Sequence, residues 1–103
     1  MTTKLDRIRA VCAAQPHEPF AWYSLAMEEW KTDATTAATT FTRLKNEFPD
    51  YLPSYYQYGK LLSEGGETAS ARAVLEAGVA LARRMGDAHA LGELHASLDA
   101  LDG

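Results

Sequence analysis

Residues 16–49 read PHEPFAWYSLAMEEWKTDATTAATTFTRLKNEFP, and the spacing of their large and small apolar residues recurs further along the chain. Pro16 and Pro49 mark the ends of this stretch, and the interval between them is about 33 residues. The same interval, or one residue more, separates several other sets: Trp22 and Tyr55; Leu25, Tyr58 and Leu91; Ala26, Gly59 and Gly92; Ala37 and Ala71; and Phe41 and Leu75. We call this interval the repeat period, and a period of this length indicates stacked helical repeats.

Proline and glycine residues divide the chain into segments of helical length that are rich in Ala, Leu, Glu, Lys and Arg. We expect six helices, which cover residues 3–14, 19–31, 34–47, 53–64, 68–84 and 88–101. No useful length of sequence alternates between apolar and polar residues with the period of a strand. The sequence therefore predicts an all-α fold without a sheet.

The expected helix ends carry residues suited to them. Pro19 and Pro53 fall in a first turn, where a missing N–H group costs nothing. Asp33 and Asp87 are expected to cap the third and sixth helices at their N-termini. Gly86 is expected to end the fifth helix in the left-handed conformation.

Apolar residues at helical spacing predict the packed face of each helix. The expected stripes are Leu5, Ile8, Val11 and Cys12 on the first helix; Trp22, Leu25 and Ala26, with Glu29 on the same side, on the second; Ala34, Ala37, Phe41, Leu44 and Phe48 on the third; and Leu91, Leu94, Leu98 and Leu101 on the sixth. The third helix also carries Thr35, Thr36, Thr39, Thr40 and Thr42. We interpret these threonines as a solvent face, with a modification or contact site as the alternative.

The repeated residues fall into two units of similar pattern. The first consists of Trp22, Leu25, Ala26, Ala37, Phe41 and Pro49, and the second of Tyr55, Tyr58, Gly59, Leu62, Ala71 and Leu75. In this pattern the chain resembles the tetratricopeptide repeat. Small residues such as Ala26, Gly59 and Gly92 are expected where neighbouring helices approach closely. The departures are Glu29 in the place of an aromatic residue, Gly78 at or one residue beyond a position that prefers alanine, and the missing proline at the end of the second unit.

The resemblance implies a single domain over residues 1–103, a right-handed α-α superhelix of about six antiparallel helices. Residues 1–15 are expected to form an N-terminal half-repeat that acts as a cap, and residues 85–103 a C-terminal capping helix. Residues 16–49 and 50–84 form the two complete repeats. The resemblance is strongest to small bacterial proteins made only of such repeats, most of which have no assigned function.

Charge and cysteine content exclude several classes of function. The formal net charge of −4 argues against binding of nucleic acid, which requires a dense basic surface. Cys12 is the only cysteine, so we expect no disulfide and interpret this thiol as part of the core. No apolar run has the length of a membrane span or the context of a signal peptide. We therefore expect a cytoplasmic protein.

No sequence motif for catalysis or cofactor binding is present. The chain lacks a phosphate-binding glycine loop and a paired-cysteine zinc motif. His89 and Glu93 are four residues apart, a spacing that suits a metal, but solvated helix pairs at this spacing are common. We expect no enzymatic activity, no cofactor and no metal.

The resemblance implies that the first helix of each repeat lines a concave groove that binds peptides. The candidate groove residues are Phe20, Tyr23, Met27 and Trp30 on the second helix, Tyr56, Gln57 and Lys60 on the fourth, and His89 and Glu93 on the sixth. In the alternative interpretation, Tyr23, Trp30 and Tyr56 pack as core. Some relatives bind a peptide carboxylate through Lys, Asn and Arg, but the matching positions here are Tyr23, Met27, Gln57 and Ala90.

An aromatic groove without this carboxylate clamp favours an apolar or amphipathic segment as ligand. We therefore expect a module that binds a peptide or helix of another protein. The alternative is a scaffold that associates with its own copies through an exposed apolar strip. The expected state of the free protein is a monomer or a weak homodimer.

Overall fold

The structure is a computed structural model that describes residues 1–103. It contains six α-helices and no strand: α1 (Lys4–Ala14), α2 (Pro19–Trp30), α3 (Ala34–Glu47), α4 (Pro53–Glu64), α5 (Thr68–Met85) and α6 (Ala88–Asp102). Every helix boundary lies within one residue of its predicted position, and the all-α fold is confirmed. None of the helices combines the length and the apolar composition needed to cross a bilayer.

The helices form two compact units, Met1–Pro49 and Asp50–Gly103. In the first, which we call unit 1, α2 packs against both α1 and α3. In the second, unit 2, α5 packs against both α4 and α6, and α4 also contacts α6. The boundary between the two units, after Pro49, is also the boundary between the first and second complete repeats in the sequence pattern.

The predicted caps are formed. The Asp33 carboxylate accepts hydrogen bonds from the amides of Thr35 and Thr36 at 3.0 and 3.2 Å. Asp87 accepts one from the amide of Ala90 at 3.0 Å. Gly86 has a φ of 69°, in the left-handed region. Each cap satisfies backbone groups that the helix itself leaves without partners, so these residues end the helices sharply.

The core of unit 1 is closed by small and large residues in alternation. Ala26, Ala37, Phe41 and Leu44 are fully buried. Cys12 is buried in a cluster with side chains of α2, and burial raises the pKa of its thiol. The prediction of a packed core thiol is confirmed, and the raised pKa keeps the reactive thiolate form scarce.

The core of unit 2 includes two close approaches at glycine. A Cβ atom added to Gly59 would lie 2.5 Å from Cδ2 of Leu75 in α5. A Cβ atom added to Gly78 would lie 2.9 Å from Cβ of Tyr55 and 3.1 Å from Cδ2 of Leu94. The prediction of a close helix contact at Gly59 is therefore confirmed, since any side chain there overlaps with a buried leucine.

Three residues expected at packed positions are exposed instead. Val11 is 45% exposed, although it was expected in the packed stripe of α1, and Ala34 is exposed at the start of α3. Gly92 was expected at a close helix contact, but a Cβ atom added there would meet nothing within 4 Å. Val11 lies on α1 and Gly92 on α6, and these helices pack against their neighbours through other positions.

The threonine face of α3 is not wholly solvated. Thr40 is buried, and its hydroxyl donates a hydrogen bond of 2.6 Å to Oε1 of Glu29. Glu29 is only 4% exposed, and its other carboxylate oxygen lies 4.0 Å from Nη2 of Arg9. The interpretation of all the threonines as a solvent face is thus wrong for Thr40, because it supplies the donor that a buried carboxylate requires.

Candidate protein-binding surfaces

The predicted groove residues of unit 1 lie on one helix and reach solvent. We call Phe20, Tyr23, Met27 and Trp30 the α2 surface. Phe20 is 62% exposed, and the other three side chains are half-buried. Residues three or four positions apart share a helix face, so Tyr23, Met27 and Trp30 form a continuous strip along α2.

This strip is left accessible because other positions of α2 provide the packing face. Ala21 and Leu25 are buried in the same cluster as Cys12. Ala26 and Glu29 are also buried. The packing face of α2 thus uses side chains interleaved with those of the strip, which places Tyr23, Met27 and Trp30 at the margin between core and solvent.

Trp30 is held in place by the core. Its ring meets the ring of Phe41 edge-on, with centroids 6.2 Å apart and an interplanar angle of 89°. Phe41 is fully buried and therefore fixed. A partly exposed indole that already packs on a buried ring loses little conformational entropy when a ligand packs on it.

The other tryptophan of α2 is engaged within unit 1. The Trp22 indole N–H donates a hydrogen bond of 3.0 Å to the carbonyl of Pro16. The guanidinium of Arg43 lies over the same ring, 4.0 Å from the centroid. Through these two contacts Trp22 connects the loop before α2 with α3, so its role is structural.

An ionic cluster lies on α2 beside these aromatic residues. A carboxylate oxygen of Glu28 lies 2.9 Å from Nζ of Lys31 and 3.5 Å from Nζ of Lys4. The hydrogen bond from Lys31 is the main reason why the pKa of Glu28 is lowered. Glu28 thus has its ionic partners within unit 1, which leaves apolar contact as the main interaction that the α2 surface offers.

Three of the predicted groove residues of unit 2 lie on one helix, α4, and are at least partly exposed. We call Tyr56, Gln57 and Lys60 the α4 surface. Tyr56 and Gln57 are half-buried, and Lys60 is exposed. Tyr56 also packs against the core cluster of unit 2. Tyr23, Trp30 and Tyr56 are therefore neither wholly core nor wholly solvated.

His89 and Glu93 on α6 form an exposed pair. Nε2 of His89 lies 3.2 Å from a carboxylate oxygen of Glu93. No group of three or more His, Cys, Asp and Glu side chains is arranged to hold a metal ion. The pair is an ordinary helix-surface contact between residues four positions apart.

Reasoning from sequence missed several polar interactions, two of which link helices within one unit. One is the buried pair of Glu29 and Thr40, for which the position of Glu29 on the packing stripe of α2 was the available signal. The other joins α5 to α6, where the guanidinium of Arg72 donates to the carboxylate of Asp102 and the pKa of Arg72 is raised by that bond. Both interactions hold helices together inside one unit.

Two nucleophilic side chains of the chain, Ser54 and Cys12, are withdrawn from solvent. Ser54 is buried, and its hydroxyl donates to the carbonyl of Tyr51 at 2.9 Å. The Cys12 thiol is enclosed by apolar side chains. The exposed strip of α2 consists of aromatic and Met side chains, which provide contact area and no nucleophile.

Comparison with known proteins identifies structural relatives. No protein-family model matches the chain, and no curated protein sequence matches it. The solution structure of a tetratricopeptide repeat domain protein from Salinibacter ruber is similar, with 35% identity and a TM-score of 0.81 over 85% of this chain and 90% of that one. A crystal structure of a tetratricopeptide repeat domain protein from the same organism gives 33% identity and a TM-score of 0.79, over 84% and 98% of the two chains.

A third similar structure extends the likeness over nearly the whole chain. The solution structure of a protein from Bordetella parapertussis has a TM-score of 0.83 and covers 99% of this chain and 90% of its own. Its sequence identity is 24%, so this likeness concerns the fold alone.

Proposed function

The chain belongs to the tetratricopeptide-repeat family, and from this premise we propose that it binds a peptide or helical segment of a partner protein. The fold of this family generally serves as a non-enzymatic interaction or scaffold module. Fold alone does not determine a ligand, so the proposal depends on the accessible side chains of this chain.

The observation that carries the proposal is the partly exposed strip of Tyr23, Met27 and Trp30. Large aromatic side chains at a surface are the residues that most often dominate binding energy. Trp30 rests against the buried ring of Phe41, and Tyr56 rests against the core of unit 2. Such supported aromatic side chains serve as rigid anchors, with Trp30 as the anchor of the α2 surface and Tyr56 as that of the α4 surface.

The chemistry of the two surfaces favours an apolar or amphipathic ligand. The positions at which some relatives carry a carboxylate clamp hold Tyr23, Met27, Gln57 and Ala90. None of these residues is basic, which argues against recognition of a free C-terminal carboxylate. A helix with apolar residues at intervals of three and four positions matches the strip on α2. Lys60 on α4 and Glu93 on α6 are exposed charges of unit 2 that we propose orient a ligand bound to the α4 surface.

The proposed setting is the cytoplasm. Cys12 is the only cysteine and is buried, so the chain forms no internal disulfide, which suits a reducing compartment. The net charge of −4 favours a protein ligand over nucleic acid.

Affinity capture from an extract of the native cell tests the proposal. The wild-type chain is expected to retain a protein that Trp30→Ala and Tyr56→Ala do not. Loss of an anchor at a binding hot spot raises the dissociation constant by about thirtyfold or more. Titration of the captured partner's segment, followed by the tryptophan fluorescence of each protein, measures this change.

Met85→Ala provides the matched control, because Met85 is an exposed apolar side chain on α5, outside both surfaces. Circular dichroism of each variant checks that helicity is retained. If Trp30→Ala and Tyr56→Ala capture the same proteins as Met85→Ala, the α2 and α4 surfaces are not the binding site.

A further inference from the structure

Two contacts join α2 to α3 side by side near the end of α2. The carboxylate of Glu29 accepts a hydrogen bond from the Thr40 hydroxyl. The next residue of each helix makes the second contact, in which the rings of Trp30 and Phe41 meet edge-on. We propose that the hydrogen bond positions Trp30 for a ligand, because it fixes the register of α2 on α3. The inference rests on the proposed function, since it assigns the residues that prepare the Trp30 anchor.

The hydrogen bond between Glu29 and Thr40 is short and buried. Its length is 2.6 Å, which is typical of a hydroxyl that donates to a carboxylate. The same hydroxyl lies 3.4 Å from the carbonyl of Thr36, one turn earlier in α3, so the bond to Glu29 is the stronger of the two. Sliding of α2 along α3 would break this bond and leave a buried carboxylate without its donor, which is costly. The bond therefore fixes the register of the two helices.

Further hydrogen bonds close the turn between the two helices. The backbone carbonyl of Glu29 accepts one from the amide of Asp33 at 2.8 Å. The Asp33 carboxylate accepts one from the hydroxyl of Thr36, which lies one turn before Thr40. Together with the bond from Thr40 back to Glu29, these contacts tie the end of α2 to the first two turns of α3. Trp30 is the last residue of α2 and lies within this connected segment.

The orientation of Trp30 depends on how α2 and α3 meet. The ring centroids of Trp30 and Phe41 are 6.2 Å apart at an interplanar angle of 89°, which is a favourable edge-to-face geometry. Phe41 is fully buried, whereas Trp30 is half-buried and keeps part of its indole accessible to a ligand. The geometry of this contact changes if either helix shifts, because each ring belongs to a different helix. A fixed register therefore keeps the indole in one place before a ligand arrives.

The second repeat has neither the polar bond nor the tryptophan. Its corresponding residues are Leu62, Ser63 and Val74, in the places of Glu29, Trp30 and Thr40. Leu62 and Val74 belong to an apolar cluster, and apolar contacts have no preferred direction. The helix pair can thus be packed without a hydrogen bond at this place. The directional bond occurs in the repeat that carries the partly exposed tryptophan, which favours a role in orienting Trp30.

Thr40→Val tests the inference in the free protein, because it removes the hydroxyl donor and keeps the shape of the side chain. NMR measures the nuclear Overhauser effects between the rings of Trp30 and Phe41 and the relaxation of the Trp30 indole N–H. We expect Thr40→Val to lose the ring-to-ring effects and to show a more mobile indole. A ring contact in Thr40→Val that matches the wild type overturns the proposal, whether or not a partner protein has been found.

Two further variants show whether the effect belongs to the hydrogen bond. Thr40→Ser keeps a hydroxyl at the same place and should retain the wild-type ring contact. Thr39→Val makes the same chemical change one position earlier, where the side chain is exposed and its hydroxyl donates to the Thr35 carbonyl of its own helix at 3.3 Å. It should also retain the ring contact. Loss of the contact in either variant would assign the effect to another feature of α3 and contradict the proposal.

The double variant Glu29→Leu, Thr40→Val separates the position of Trp30 from the stability of unit 1. It replaces the polar pair by the apolar pair of unit 2 and leaves no buried carboxylate, so it should fold even if Thr40→Val does not. We expect this variant to lose the contact between Trp30 and Phe41 while it keeps its helicity. If the folded double variant retains the wild-type ring contact, apolar packing alone orients Trp30 and the proposal is wrong.

Affinity for the captured partner's segment measures the consequence for binding. Thr40→Val and the double variant should raise the dissociation constant by about three- to tenfold, since a mobile side chain must be immobilised on binding. Thr40→Ser and Thr39→Val should bind as the wild type does. An unchanged dissociation constant in a variant with a mobile indole overturns the proposal. If the wild type captures no protein, the proposed function fails, and the ring contact in the free protein still decides whether the hydrogen bond positions Trp30.

Discussion

The first repeat buries a hydrogen-bonded carboxylate where the second buries aliphatic side chains. Glu29 of α2 and Thr40 of α3 occupy the positions that Leu62 of α4 and Val74 of α5 occupy one repeat later. The carboxylate in unit 1 is 4% exposed and accepts a hydrogen bond of 2.6 Å. In unit 2 both side chains belong to one apolar cluster. The contact between the two helices of a repeat is thus made by a hydrogen-bonded polar pair in unit 1 and by aliphatic side chains in unit 2.

The polar pair and the apolar pair differ in what they require from neighbouring side chains. Burial of a carboxylate is unfavourable unless a donor and a charge compensate it. In unit 1 the donor comes from Thr40 on α3 and the charge from Arg9 on α1, at 4.0 Å. All three helices of unit 1 therefore meet at Glu29. The apolar pair of unit 2 needs only shape and volume, so it depends less on any single neighbour.

Introducing a carboxylate at the matching position of unit 2 should cause the largest loss of stability. Leu62→Glu buries a charge without a donor, for which we expect a loss of about 3–5 kcal/mol in the free energy of unfolding. Adding Val74→Thr supplies the donor and should recover about 1 kcal/mol. Chemical denaturation of the single and double variants measures both values. A Leu62→Glu variant as stable as the wild type would show that the position has access to water.

Leucine substitutions at two glycines should differ sharply in their effects. Gly59→Leu overlaps with the buried side chain of Leu75, and we expect a loss of about 3 kcal/mol. Gly92→Leu meets no neighbour and gains helix propensity, so we expect an unchanged or slightly higher melting temperature in dilute solution. Equal losses of stability at both positions would contradict the open surroundings of Gly92.

Replacing both Glu29 and Thr40 by apolar side chains should restore the stability that is lost when Thr40 alone is replaced. Thr40→Val leaves Glu29 buried without its hydroxyl donor, at an expected loss of about 1–3 kcal/mol. The double variant Glu29→Leu, Thr40→Val copies unit 2, and its stability should return to within about 1 kcal/mol of the wild type or exceed it. A double-mutant cycle measures the coupling. If the losses simply add, the two side chains do not act as a pair.

These differences mark the limit of prediction from sequence. The helix boundaries followed from Pro19, Pro53, Asp33, Gly86 and Asp87, because those residues act through local backbone geometry. The pairing of Glu29 with Thr40 joins residues eleven positions apart on different helices. The sequence placed Glu29 on the packing stripe but gave no measure of how α2 and α3 meet, so the partner stayed unidentified.

The candidate surfaces were predictable only as helix faces. Helical spacing separates Tyr23, Met27 and Trp30 from the packing stripe, and the structure leaves all three partly exposed. Spacing identifies the apolar face of a helix but not whether another helix covers it. For this reason Val11 and Gly92 were expected to be packed and are exposed instead. Whether the α2 and α4 surfaces bind a peptide stays a prediction.

The start of the second helix in each repeat offers the last comparison. Asp33 caps α3, whereas Glu67, in the same place of the next repeat, begins α5 without a side-chain hydrogen bond to the helix. The hydroxyl of Thr36 donates to Asp33 at 2.7 Å, and this bond is the main cause of the lowered pKa of Asp33. The longer side chain of Glu67 provides no such cap, so the N-termini of α3 and α5 should respond differently to acid.

A carboxyl group whose pKa is lowered by folding stabilises the folded state above its unfolded pKa, near 3.8 for Asp33. That contribution is lost as the pH falls through the lower, folded pKa. Amide hydrogen exchange between about pH 5 and pH 3 should therefore show protection of the first turn of α3 falling more than that of α5. Asp33→Asn keeps an oxygen acceptor that does not titrate, so this difference should disappear. The effect is expected to be the smallest of the four, because the group is at the surface. A pH dependence that persists in Asp33→Asn would assign it to another carboxylate.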